Sequence, residues 1–348
     1  MSRQFPALRG IAILLVVLNH AITLSLETGR MYGFTLPTGI EHDLWLAIRT
    51  LGLIAVPTFY FLSGGFLVYA VRGKSFTQAY RTVLLALRHI LVPYLVWSIG
   101  FYVLIFFIQH ETYSLPGYLK NLAVGYPLNF VPLLMVYYLI APLLVKWIAR
   151  MPWFALGTIA LYQAFSVIVL RPGLVGVTLP AWMMNLTIPG IRLSVAIWGV
   201  FFPLGLAYGL FTDRIQVSLR RWLWLVIGLG GITYGTAVLH ELGRVNLALA
   251  ELIFPVFVIL VFPFVDRGRI PFVLQLEQLG RRAYGLYLSN LIWLSLALII
   301  VRQSVPWLMS VWIVLIPILS ALTIGTVTVL MGLTERMSSP LWRRYLFG

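Results

Sequence analysis

The chain has 348 residues, 61% hydrophobic and only 10% charged, with a mean hydropathy of +0.95. Soluble domains carry about 25% charged residues, so most of this chain must face lipid or other buried helices, and the composition predicts an all-α polytopic membrane protein. The net charge of +15 invites a nucleic-acid reading that its distribution argues against, and the absence of cysteine excludes disulfides, thiolate metal sites and a cysteine nucleophile.

A span needs about 20 mostly apolar residues. Runs of that kind, ended by charges, Pro and Gly, predict ten: 10–26, 51–71, 88–108, 130–147, 153–170, 192–211, 222–239, 247–265, 283–301 and 308–331. Arg3 and Arg9 before the first run give the start a signal-peptide look. No small-x-small cleavage site follows, so a retained first helix is expected. With ten spans both termini share a side. That side collects eighteen of the Lys and Arg residues, Arg3, Arg343 and Arg344 among them, against seven on the other. The bias places both termini in the cytoplasm. The basic excess is then an orientation signal, with an anionic ligand a further use for it, and nucleic acid is not expected as a partner. A single transmembrane domain over 1–348 in a cytoplasmic (inner) membrane is expected, without a fused soluble domain. Loops at about 27–50, 109–129 and 171–191, rich in Gly, Pro and aromatics, are placed to cover an acceptor site.

In the first span Arg9 and His20 stand eleven residues apart. On a helix they are separated by about 16 Å of rise and only about 20° of azimuth. An ionisable residue deep in a membrane is a functional candidate by default. His20 reads either as a buried, hydrogen-bonded histidine or as a general base, since burial disfavours the charged imidazolium and leaves a free lone pair. Arg9 reads either as a positive-inside flank or as an anion anchor aligned with that base. Asn19 points to another face and suits an interhelical hydrogen bond. In the second span, Pro57 and Gly64-Gly65 suit a weakened helix and close packing, and Ser63 lacks the surroundings of a hydrolase nucleophile. Arg88, at the cytoplasmic start of the third span, can join Arg9 in holding phosphates through bidentate bonds. Arg72, Lys74 and Arg81 suit a donor mouth or a lipid-headgroup cluster. Glu251 and the loop trio Glu41, His42 and Asp43 are further polar candidates. In the ninth span Tyr284, Tyr287 and Asn290 recur every three residues along one face, placed to orient a sugar, bond a carbonyl or oxyanion, or pack against another helix.

Several of these stretches resemble the acyltransferase-3 family, integral-membrane enzymes that acylate sugars and other acceptors. Arg9 and His20 fit its first-helix Arg, ten residues, His spacing. Val56-Pro-Thr-Phe-Tyr-Phe-Leu-Ser-Gly64 is similar to its second-helix signature, and Arg88-His-Ile-Leu-Val-Pro-Tyr-Leu-Val-Trp97 to its third. Tyr138-Leu-Ile-Ala-Pro142, Pro203-Leu-Gly-Leu-Ala-Tyr-Gly209, Leu279-Gly-Arg-Arg-Ala-Tyr-Gly-Leu-Tyr287 and Thr334-Glu-Arg336 resemble later landmarks. The chain departs at Asn290, where the family pattern usually has His, and at Leu85, where it often has Arg.

The resemblance implies an O-acyltransferase moving an acyl group, acetyl in the common case, from cytoplasmic acyl-CoA to a hydroxyl of a cell-envelope polysaccharide or lipid-linked sugar. No permanently bound cofactor or metal is expected, and acyl-CoA (acetyl-CoA) enters as co-substrate. In this reading His20 is the catalytic base, Arg9 and Arg88 bind the donor, and Tyr284, Tyr287 or Asn290 meets the acceptor or oxyanion. The rival class is a transporter of a polysaccharide unit or other amphipathic molecule. It accounts for the spans equally well but leaves the Arg9/His20 spacing without a use.

Overall fold

Inside a bilayer an apolar run satisfies its own backbone only as a helix, and the chain obeys throughout. The computed structural model describes residues 4–174, 176–336 and 345–347, and every regular element among them is helical. Thirteen α-helices follow in order: α1 Phe5–Tyr32, α2 Gly39–Leu51, α3 Ala55–Val71, α4 Phe76–Gln109, α5 Leu115–Val124, α6 Phe130–Arg150, α7 Pro152–Leu170, α8 Arg192–Trp198, α9 Phe201–Glu241, α10 Leu249–Val261, α11 Val273–Arg281, α12 Ala283–Ser304 and α13 Trp312–Arg336. Local chemistry marks several boundaries. Ser75 caps α4 in a reciprocal capping box with Gln78, Ser114 caps α5, and Gly33 and Gly125 end α1 and α5 in the left-handed conformation.

Among the described residues, eight helical segments are long and apolar enough to cross a membrane: α1, α2–α3 taken together, α4, α6, α7, α9, α12 and α13. Hydropathy predicts ten, and two places account for the difference. The spans expected at 192–211 and 222–239 fall in α8 and in one 41-residue helix, α9, broken by non-helical geometry at Phe211 (φ −127°, ψ 31°). The stretch between them, Thr212–Arg221, is polar but free of Gly and Pro, so it stays helical where a loop is expected. The break sends the two arms of α9 to different neighbours. Gly205 on the first arm abuts Phe61 of α3. On the second arm Tyr234 donates to the Ala47 carbonyl of α2 (3.0 Å) and Gly230 meets Phe257 of α10. The run expected at 247–265 forms only the short apolar stretch Leu249–Phe264.

Glycines set the closest approaches. A Cβ on Gly10 would strike the Leu276 carbonyl, and one on Gly280 the Pro6 carbonyl, so α1 and α11 meet backbone to backbone. Gly64 and Gly205 do the same for α3 and the first arm of α9. Such contacts replace the hydrophobic drive that lipid removes. The main core joins α1, α3, α6, the first arm of α9 and α12 around Tyr60, Phe201, Phe202 and Leu206, and Tyr137 stacks on Phe202 at 5.0 Å. A second core joins the far half of α1 to α12 and α13 around Trp45 and Trp312. Arg3, Arg343 and Arg344, three of the cations counted for orientation, lie outside the described residues.

Candidate active site

Helix α1 is continuous from Phe5 to Tyr32, so Arg9 and His20 do share one straight element about 16 Å apart along its axis. Each lines its own cavity. Arg9 borders a cavity of about 190 Å³ together with Ser63, His89, Tyr138, Tyr284 and Tyr287. His20 borders one of about 320 Å³ together with Asn19, Asn129, Arg171, Glu251 and Tyr287. Tyr287 lines both. Its ring is buried and held edge-on against Phe130 (4.8 Å) and Phe59 (6.4 Å), so one phenol side chain stands in the wall between them.

The surroundings of His20 dictate which of its nitrogens is free. Its Nδ1 lies 2.6 Å from Asn290 Oδ1. Asn290 is fully buried, and its amide nitrogen donates to the backbone carbonyls of Leu286 (3.1 Å) and Tyr287 (2.6 Å). Both amide hydrogens are thus spent on α12 itself, and the oxygen can only accept. The hydrogen on the imidazole must then sit on Nδ1, because an unprotonated Nδ1 would set two lone pairs against each other. That leaves Nε2 with its lone pair, and among the described residues nothing bonds it. This assignment follows from the hydrogen-bond network.

Arg9 is half-buried and has no carboxylate in ion-pair range among the described residues. It shares its cavity with the Tyr138 and Tyr284 hydroxyls and the Ser63 hydroxyl. A guanidinium so placed has donors free for an anion. At the far end, the His20 cavity meets a polar layer in which Asn19 donates to the Arg49 carbonyl (3.1 Å), Arg49 pairs with Glu241, and His240 lies 3.8 Å from Glu251.

The six residues singled out from sequence do not all converge. Arg88 is exposed and does not line the Arg9 cavity; its neighbours His89 and Ile90 do. Successive residues on a helix point about 100° apart, so turning His89 and Ile90 inward turns Arg88 away. The Tyr284 hydroxyl is donated to the Ile90 carbonyl (2.6 Å), and Asn290 has no hydrogen left for an oxyanion. Of the three candidate donors on α12 only Tyr287 keeps a hydrogen that no described residue accepts. Ser63, which the sequence suggests as a packing residue, borders the Arg9 cavity. Asn129 and Arg171 escape sequence reasoning as site residues: they lie in connections far away in sequence, and no periodicity aims them at His20.

Paired cavities on one helix, an anchoring cation at one end and a tautomer-locked imidazole at the other, suit group transfer between two substrates. The acyltransferase domain that defines the acyltransferase-3 family matches residues 4–332. The chain belongs to that family. It is a multi-pass membrane acyltransferase whose domain spans nearly the whole chain. No curated protein and no solved structure matches it. The family's segments surround the two cavities: α1 brings Arg9 and His20, the stretch 56–64 brings Val56, Pro57, Phe59 and Ser63, and the stretch 279–287 brings Tyr284 and Tyr287.

Proposed function

We propose that the protein transfers an acyl group, acetyl in the simplest case, from acyl-CoA to a hydroxyl of an envelope glycan or lipid-linked sugar. The donor enters from the face where α1 begins, which the Lys/Arg bias makes cytoplasmic, in an inner membrane. The observation that carries this reading is the shared lining: Arg9, without a partner among the described residues, and His20 border separate cavities that both reach Tyr287 of α12.

The chemistry follows from the side chains. Arg9 holds a donor phosphate near the membrane surface, since phosphates cannot enter hydrocarbon cheaply, and the uncharged pantetheine arm reaches inward along α1. Arg88, exposed at the same end, contributes at most to the outer field that gathers the anion. The acceptor hydroxyl enters from the opposite face and donates to His20 Nε2. As the proton moves to Nε2, the oxygen attacks the thioester carbonyl carbon and a C–O bond forms. The developing oxyanion takes the Tyr287 hydroxyl hydrogen bond. Collapse breaks the C–S bond, and the proton on Nε2 leaves with the sulfur as the CoA thiol. Asn290 holds Nδ1–H throughout and stabilises the transient imidazolium, so it positions the base without touching substrate.

The test is transfer of radiolabelled acetyl from acetyl-CoA to envelope glycans in membranes carrying the protein, with mass spectrometry of the product. His20→Ala, matched for expression, is expected to lose roughly 10²- to 10⁴-fold in rate, the usual worth of a placed base. Undiminished acetylation by that variant would overturn the mechanism.

A further inference from the structure

A third cavity opens beside the His20 chamber, on the face away from the start of α1. It is a broad groove of about 530 Å³, within the range of small-molecule sites. Lys120 and Asn121 of α5, Tyr113 and Tyr126 at its ends, Asn129 before α6 and Arg192 at the start of α8 line it. Asn129 also lines the His20 cavity, so the groove runs to the proposed base through one residue. The walls are braced from behind. Ser194 donates to the Asn129 carbonyl (3.0 Å), Tyr102 to the Tyr126 carbonyl (2.7 Å) and Tyr94 to the Leu122 carbonyl (2.5 Å).

Four polar side chains of this groove lack partners among the described residues. Among the described residues, the Lys120 ammonium, the Arg192 guanidinium and the amides of Asn121 and Asn129 make no hydrogen bond or ion pair. Three other cations near this face have partners. Arg49 pairs with Glu241, Arg244 with Asp43 (2.8 Å), and Arg302 lies 3.8 Å from the centre of the Tyr32 ring. A carboxylate beside the groove, Glu111, accepts the Tyr113 hydroxyl (2.7 Å). Two positive charges without an ion pair among the described residues, two amides and two phenol rings form a surface for an acidic carbohydrate. Rings cover apolar sugar faces, amides meet hydroxyls, and the cations meet carboxylate or phosphate.

We infer that this groove is the acceptor track and that the acceptor is an anionic glycan, threaded past Asn129 so that one hydroxyl reaches His20. The role as acceptor rests on the transferase reading; binding of an acidic glycan in the groove does not. The experiment therefore reads binding without donor. Purified protein in lipid nanodiscs is titrated with hexagalacturonate, with the same hexasaccharide fully methyl-esterified, and with a phosphorylated maltohexaose. At least one acidic probe is expected to bind at least about 5-fold more tightly than the neutral ester, and raised salt is expected to weaken it. Lys120→Gln and Arg192→Gln are each expected to weaken it about 1.5- to 5-fold, as loss of an exposed charge pair does, and His20→Ala to leave it unchanged. Whichever acid binds more tightly names the charged group. Equal affinity for acid and ester, no binding of any probe, or acid binding indifferent to both substitutions overturns the inference. Because esterifying the ligand removes charge without altering the protein, poor folding of a variant cannot mask the result. If acidic binding holds while His20→Ala still transfers acetyl, the groove stands and the proposed base fails.

Discussion

Asn290→Ala is the most informative single change, because Asn290 touches the proposed base and nothing that reacts. Its Oδ1 is 2.6 Å from His20 Nδ1, and its amide bonds two carbonyls of its own helix. Truncation lets the imidazole turn and populate the other tautomer, in which Nε2 carries the hydrogen and cannot accept one. Outer partners that orient a functional histidine cost about 10- to 100-fold when removed from metal sites. The full worth of a general base, about 10²–10⁴, is a ceiling. Turnover is therefore expected to slow about 10- to 100-fold, by analogy with those orienting partners, while the donor KM stays unchanged. The stability cost is separable: the Leu286 and Tyr287 carbonyls remain acceptors in the helix ladder, so about 1–3 kcal/mol, the cost of a buried hydrogen bond and a small void, should be lost. Steady-state acetyl transfer separates kcat from KM, and thermal unfolding in nanodiscs gives stability. Asn290→His restores an acceptor nitrogen facing His20 and is expected to recover activity to within about tenfold of the parent, assuming a bond of similar strength. Undiminished turnover by Asn290→Ala, or a loss confined to KM, would refute the tautomer argument.

Three further outcomes follow. Arg9→Gln should raise the donor KM roughly 10- to 100-fold with little change in turnover, since a charge-assisted hydrogen bond is worth about 1.5–3 kcal/mol; initial rates against donor concentration check it. Gly205→Ala places a methyl against the Phe61 carbonyl and should lower stability by about 1–3 kcal/mol, as overpacking does, visible as a drop in Tm. Ahead of α11, Arg267 holds the carboxylate of Glu277 on that helix at 2.5 and 3.1 Å, and its guanidinium keeps that carboxyl below the usual range. A depressed carboxylate stabilises the fold above the ordinary glutamate value of about 4.3 and loses that contribution as pH falls through its lower folded value. Unfolding followed from pH 7 to pH 3 should show the parent and Glu277→Gln differing at neutral pH and converging in acid.

How much of this can be read without a structure depends on distance along the chain. The helical period alone puts Arg9 and His20 on one face, and α1 keeps them there. The Pro57 and Gly64-Gly65 segment is expected to pack closely, and Gly64 does so against Phe202. Hydropathy finds apolar runs but not whether they cross. It counts 247–265 as a span, although the helix there is short, and it places a loop at Thr212–Arg221, although a helix needs only the absence of breakers to continue. Arg88 groups with Arg9 in sequence because both are basic and near one surface. Rotation about α4 decides otherwise, and rotation is set by packing that one sequence does not display. The Asn290–His20 pair spans 270 positions, and local spacing carries no signal for it. Asn290 stands out in sequence mainly as a departure from a family pattern, and that departure marks the partner of His20.

The wall made by Tyr287 also bears on how the bilayer stays sealed. A passage able to admit a coenzyme arm from one side and a sugar from the other would, if continuous, drain the ion gradients that energise the membrane, where each charge crossing 100 mV releases about 2.3 kcal/mol. Here a phenol ring serves as septum. In the proposed reaction the thioester carbonyl must pass beside that ring to reach the hydroxyl held at His20, while the buried ring narrows the path left to sodium ions and protons. Enlarging that partition's gap, as Tyr287→Ala would, is expected to turn a transferase into a leak.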